Sequence, residues 1–132
     1  MGDRVSVITD WHTLDDDLPD VAPGGEFEGR VAPQKFIVLR RIIVRDLVLI
    51  RLQIGEVAVP FELESFDGIQ RTYRPKNLDD AAIKERLTRT GAAVATRATI
   101  AISPNLEIRT VLRNESAAPA KPRAALIVQE EE

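Results

Sequence analysis

Two neighbouring runs, KFIVLRRIIVR at Lys35–Arg45 and LVLIRLQI at Leu47–Ile54, commit this chain to building sheet. Branching at Cβ restricts Val and Ile rotamers in a helix, whereas a pleated surface accepts them readily. In the second run Ile50, Leu52 and Ile54 alternate with Arg51 and Gln53. That period predicts a half-buried strand with the three aliphatic residues on its core face. The same period recurs later. In Val94–Ile102, Thr96, Ala98, Ile100 and Ile102 alternate with Arg97, Thr99 and Ala101. In Leu106–Arg113, Leu106, Ile108, Thr110 and Leu112 share one face, and Glu107, Arg109, Val111 and Arg113 the other. Ala124, Leu126 and Val128 line one face of Arg123–Gln129. Val57–Leu63 reads as a shorter strand in which Pro60, lacking an N–H, marks an edge or a bend. Asp67-Gly68 is a turn pair, and Ile69–Tyr73 adds a brief strand before Pro75.

One segment has a helical period. Ile83 and Leu87 share a face with Ala82 beside them, while Lys84, Arg86 and Arg89 point elsewhere. The pattern predicts a helix near 79–90, capped by Asn77, with Asp79 and Asp80 at its positive end and Gly91 closing it. At about three turns it is an insert across a barrel end or sheet face. Short strands joined by polar turns make the fold class all-β: a two-sheet β-sandwich, jelly-roll-like in its preferred version, with one short helix. A chain of 132 residues fits one domain. Aromatic residues are only 5% of the chain, so the core must be aliphatic.

Charge divides the chain differently. Met1–Glu28 carries eight acids against the single base Arg4, a net of −7. Gly29–Arg123 carries 17 bases and ten acids, a net of +7, and Glu130, Glu131 and Glu132 add −3. Residues 1–33 also contain Pro19, Pro23, Gly24, Gly25 and Pro33, which interrupt regular structure, although Val5, Val7 and Ile8 suit a short strand. The division expected is an extended acidic N-terminal arm, 1–33, and a β-sandwich domain, 34–132. Trp11, Leu14 and Phe27 are the arm's apolar anchors, with Leu18 and Val21 as further apolar positions. Arg40, Arg41, Arg45, Arg51, Arg71 and Arg74 are the basic acceptor surface expected to meet its acids. The acceptor belongs either to the same subunit or to the next. Exposed ion pairs contribute about 0–1 kcal/mol each. The apolar anchors therefore supply the affinity and the charges set the register.

Little in the chain points to catalysis. It has no cysteine, which removes disulfides and thiolate chemistry. His12 is the only histidine, and its spacing to Asp15 and Asp17 matches no calcium-loop pattern. No G-x-S-x-G elbow surrounds Ser6, Ser65, Ser103 or Ser116, and no phosphate loop follows Gly24-Gly25. Glu62 and Glu64 share a strand face, but a solvated face explains them. The arginines suit phosphates, yet Glu56, Glu62, Glu64, Asp67, Asp79, Asp80 and Glu85 are interspersed and no aromatic stacking stripe accompanies them. No apolar run is long enough to span a membrane, and no basic-then-apolar signal pattern opens the chain. The expectation is a non-enzymatic, cofactor-free and metal-free homo-oligomer, made in the cytoplasm and built into a larger protein assembly. The alternative is a small binding module for glycan or nucleic acid.

The stretch ATIAISPNLEIRTVLRNESAAPAKPRAALIV, Ala98–Val128, resembles the closing strands of small β-sandwich proteins of bacteriophage virions. An alternating apolar strand is followed by one ending in Arg113-Asn114, a Ser/Pro turn, and a last strand from Arg123. Phe36–Ile54 is similar in style to the first strand pair of single jelly-roll coat or decoration proteins. A hairpin ending in Asn-x-Ser before a Pro-bearing turn is also found in immunoglobulin-like domains. The resemblance covers about half of the chain. It implies a virion structural protein, of capsid or decoration type, whose arm reaches a neighbouring subunit. It carries over no catalytic residue.

Overall fold

In the computed structural model, which describes residues 3–9, 19–76, 80–94 and 99–131, two antiparallel sheets face each other. The strands are β1 (Asp3–Thr9), β2 (Glu26–Val31), β3 (Ile37–Arg45), β4 (Val48–Ile54), β5 (Val57–Ala58), β6 (Phe61–Phe66), β7 (Gln70–Pro75), β8 (Ala92–Val94), β9 (Ile100–Ile102), β10 (Ile108–Arg113) and β11 (Arg123–Glu131). One helix, α1 (Ala81–Thr90), lies between β7 and β8. The larger sheet runs β1-β11-β3-β7-β6, and β9, carrying β8, also pairs with β3. The smaller sheet runs β2-β10-β4-β5.

The connectivity is that of a jelly roll with an insertion. Without β6, β7, α1 and β8, eight strands remain. In chain order they lie first–eighth–third–sixth in one sheet and second–seventh–fourth–fifth in the other. Successive strands mostly alternate between sheets, which is how a jelly roll winds. Residues 26–31, in the expected arm, form an edge strand of the smaller sheet on β10, and β1 pairs with β11. Val57–Leu63 divides at Val59-Pro60: β5 stays in the smaller sheet and β6 joins the larger one.

The core is aliphatic, as the low aromatic content requires. Ile37, Leu39, Ile42 and Val44 of β3 face Leu52 and Ile54 of β4, with Ile108 and Leu112 of β10 and Leu126 and Val128 of β11. The faces expected for β10 and β11 are the buried ones. The face expected for β4 needs correction. Val111 pairs with Arg51 but Leu112 with Leu49, so Ile50 is an extra residue in a bulge. Leu49 is buried in its place and Ile50 is half-buried. A bulge shifts the alternation by one residue, and a strict period-2 pattern does not anticipate it. β3 has another: Ile127 pairs with Arg41 and Val128 with Leu39, which leaves Arg40 as the extra residue. It keeps the Arg40-Arg41 doublet off the core and restores Ile42 and Val44 to it.

The helix also differs in its cap. Asp80, not Asn77, is the N-cap, its Oδ1 accepting from the amides of Ala82 (2.8 Å) and Ile83 (3.4 Å). Asn77 and Asp79 lie outside the described residues. Gly91 closes the helix in the left-handed region at φ 105°, a conformation that a Cβ disfavours. Leu87 is fully buried and Ile83 packs against the core, while Ala82 is exposed.

At one end of the sandwich a buried asparagine replaces apolar packing. Asn114 Nδ2 donates to the carbonyls of Val21 (2.7 Å) and Ala118 (2.8 Å). Its Oδ1 accepts from the amide and the hydroxyl of Ser116 (2.9 and 2.7 Å). Its backbone bonds to Gly24 and Gly25, and Val21 bridges Ala120. One side chain thus ties the approach to β2 to the turn between β10 and β11. Removing it strands the Ser116 amide and takes one of two donors from each carbonyl, since Val21 also accepts from the Ala120 amide and Ala118 from the Ser116 hydroxyl, so Asn114→Ala should cost about 1–3 kcal/mol in urea unfolding. Thr110 is the opposite case, because its buried Oγ1 is the one buried side-chain polar atom without a partner among the described residues. Thr110→Val keeps the shape and removes that hydroxyl. It should raise stability by about 1–2 kcal/mol and lift the thermal midpoint.

Candidate interaction surface

The β6–β7 hairpin at the edge of the larger sheet carries Leu63, Phe66 and Ile69, three large apolar side chains that are exposed. Its turn is built locally. Gly68, at φ 100°, takes the first loop position, where a tight hairpin needs glycine. Asp67 Oδ1 accepts from the amides of Ile69 (2.9 Å) and Gln70 (2.7 Å), and these bonds hold its carboxyl below the ordinary aspartate range. At the base, Lys76 donates its amide to the Pro60 carbonyl (3.0 Å). Tyr73 fixes the hairpin to the core. It is buried, meets Phe61 edge-on with centroids 5.6 Å apart, and its hydroxyl accepts from the Leu49 amide of the other sheet (3.2 Å). Burial raises its pKa.

Beyond Tyr73 the hairpin is open. Leu63, directly opposite Tyr73 on the same face, is 50% exposed. Phe66 is 50% and Ile69 52% exposed, the largest values among the large apolar side chains described. Arg71 lies over the Phe66 ring, its Cζ 4.2 Å from the centroid, and donates to the Leu47 carbonyl (3.2 Å). The outer face of the same strands is polar. Arg41 holds Glu64 through Nε (2.7 Å) and Nη2 (3.4 Å). Arg74 reaches Glu62 (3.4 Å) and Glu64 (3.5 Å). Glu64 is itself the extra residue of a bulge, since Leu63 pairs with Tyr73 and Ser65 with Thr72. Its arginine partners hold Glu64 below the ordinary glutamate value and raise Arg41, the hydrogen bond being the larger cause for each.

The six expected acceptor arginines occupy different places. Arg41, Arg45 and Arg74 share the outer face of the larger sheet, with Arg40 in the bulge beside them. Arg51 pairs with Val111 on the outer face of the smaller sheet. Arg71 is opposite the buried Val44, on the core side. Of the expected arm anchors, Phe27 packs against this chain's own core, while Trp11 and Leu14 lie outside the described residues, as do His12, Asp15 and Asp17. The arm acids Glu26 and Glu28 meet Arg113 (2.9 Å), Arg30 (3.3 Å) and Arg109 (4.0 Å) of the same chain. Leu63, Phe66 and Ile69 escape sequence reasoning because exposed and buried apolar residues are the same residue types. Searches for a matching protein family, curated protein or solved structure found none.

The Arg41–Glu64 pair gives a test with a definite sign. A depressed glutamate pKa stabilises the fold above the unfolded value, about 4.3. That stabilisation disappears as pH falls through the lower, folded value. Both groups are partly exposed, which limits the effect to about 1 kcal/mol or less. Glu64→Gln should therefore lower stability slightly at pH 7, and the difference from wild type should shrink as pH falls below the unfolded value and through the lower, folded one in urea titrations.

Proposed function

We propose that this protein is a non-enzymatic structural subunit that self-associates into a larger particle, of the coat or decoration type. The observation that supports this reading is the exposed apolar hairpin of Leu63, Phe66 and Ile69 at the edge of the larger sheet. A sheet edge with uncovered apolar side chains is a ready contact for another chain. The bulge at Glu64 interrupts the free edge of β6, so the hairpin offers its side chains rather than a ladder for an added strand. A jelly roll alone carries no such argument, because the fold hosts many functions.

Light scattering tests the reading. Wild-type protein should run as a multi-subunit species whose mass falls on dilution. The variant Leu63→Asn, Phe66→Ser, Ile69→Asn should be monomeric with an unchanged circular dichroism spectrum. A wild-type protein that stays monomeric at all concentrations overturns it.

A further inference from the structure

The exposed apolar residues of the β6–β7 hairpin share one face with two opposite charges. Register puts Leu63 opposite the buried Tyr73, Phe66 opposite Arg71, and Arg71 opposite the buried Val44. Leu63, Phe66 and Arg71 therefore stand on the core side of the sheet. Along β6 that side opens toward the turn. Phe61 is half-buried against Tyr73, whereas Leu63 and Phe66 are exposed, as is Ile69 beyond the turn. A core-side face of a sandwich ordinarily lies under a second layer. The bulge at Glu64 interrupts edge-to-edge strand pairing, which leaves this face as the contact.

The charges indicate what covers it. Residues 61–76 carry three acids and three bases, a net of zero. That balance gives no field for a nucleic acid or a strongly acidic peptide. Glu62 and Glu64 are neutralised on the outer face by Arg74 and Arg41. Asp67 and Arg71 remain. Asp67 follows Phe66 and Arg71 stands opposite it, so an acid and a base flank one exposed ring. Both turn amides bond Asp67 Oδ1, and a carboxylate accepts at two oxygens. Arg45 acts on Asp67 without forming an ion pair. Arg71 gives Nη1 to the Leu47 carbonyl and keeps further N–H donors. Arg40, Arg45, Arg51, Arg86 and Arg123 also lack an ion pair among the described residues, but of these only Arg71 stands on the core side beside an exposed ring. An apolar centre with opposite charges on either side fits a copy of itself turned through a half-circle. We propose that the hairpin docks face to face on the hairpin of a second copy about a two-fold axis near Phe66, with Asp67 of each copy meeting Arg71 of the other, a deepening that rests on the subunit reading above. Such a contact closes on two chains, so a larger particle is built from pairs.

The chain has no cysteine, so a single introduced cysteine reports whether a residue meets its own counterpart. Full-length Phe66→Cys and Ile69→Cys are treated with a short bis-maleimide, with light scattering of wild type at the same concentration. Each should give a covalent species of two chains. Arg51→Cys, on the outer face of the smaller sheet, should give little. Asp67→Asn keeps the acceptor oxygen of the turn and removes the charge. It should weaken pairing about fivefold, because the ion pair occurs twice across the axis, with an unchanged circular dichroism spectrum. Four results overturn the proposal: neither hairpin cysteine couples, Arg51→Cys couples to the same extent, Asp67→Asn pairs like wild type, or excess peptide of residues 10–20 blocks the coupling. The last would make the N-terminal segment the occupant. A multi-subunit wild type whose hairpin cysteines stay uncoupled overturns the two-fold contact and leaves the subunit reading standing. A wild type that is monomeric at every concentration overturns both.

Discussion

Strand β3 holds three partners on two edges, and the arrangement of the larger sheet depends on how it divides them. β11 takes one edge along nearly its whole length. The other edge is shared: Ile37–Leu39 pairs with β9 and Ile42–Arg45 with β7. The bulge at Arg40 falls between the two. Bulges increase local twist, so β7 and β9 leave the shared edge in different directions. The β6–β7 hairpin then forms the edge of the larger sheet on that side. Its exposed apolar side chains lie on the part of the sheet that β3 reaches only through Ile42–Arg45.

The polar groups divide into two kinds. Asn114 and Tyr73 are buried and bonded, and each fixes one part of the chain to another. Their removal leaves partners stranded, which is why they matter for stability. The arginine–glutamate pairs on the outer faces are partly solvated and contribute little each. They instead decide which surfaces tolerate a neighbour's charge. The cohesion of the fold comes from aliphatic burial between the sheets.

How much of this was legible depended on the range of the interaction. The faces of β10 and β11 follow from alternation alone, and the helix from the spacing of Ile83 and Leu87. Both are local patterns. Alternation puts Ile50 on the core face and the structure does not, because a bulge is a disagreement between two strands and neither strand reveals it alone. The Arg40-Arg41 doublet was a usable signal for the second bulge, since two adjacent arginines cannot both obey a period of two with one face buried. Asn114 gave no sign of its role, as its partners are brought to it by the turn and by a segment 93 residues away. The placing of Arg71 beside Phe66 likewise exists only through register.

The place of β11 has a consequence for how the protein is made. It is the last described strand to leave the ribosome, yet it lies inside the larger sheet, between β1 and β3. Until residue 131 is synthesised, β3 presents an unfilled edge rich in Ile, Val and Leu. Non-local pairing of this kind is slow, and open edges recruit wrong partners. The central position of β11 thus makes the larger sheet the part of the fold that closes only once the far end of the described chain is in place.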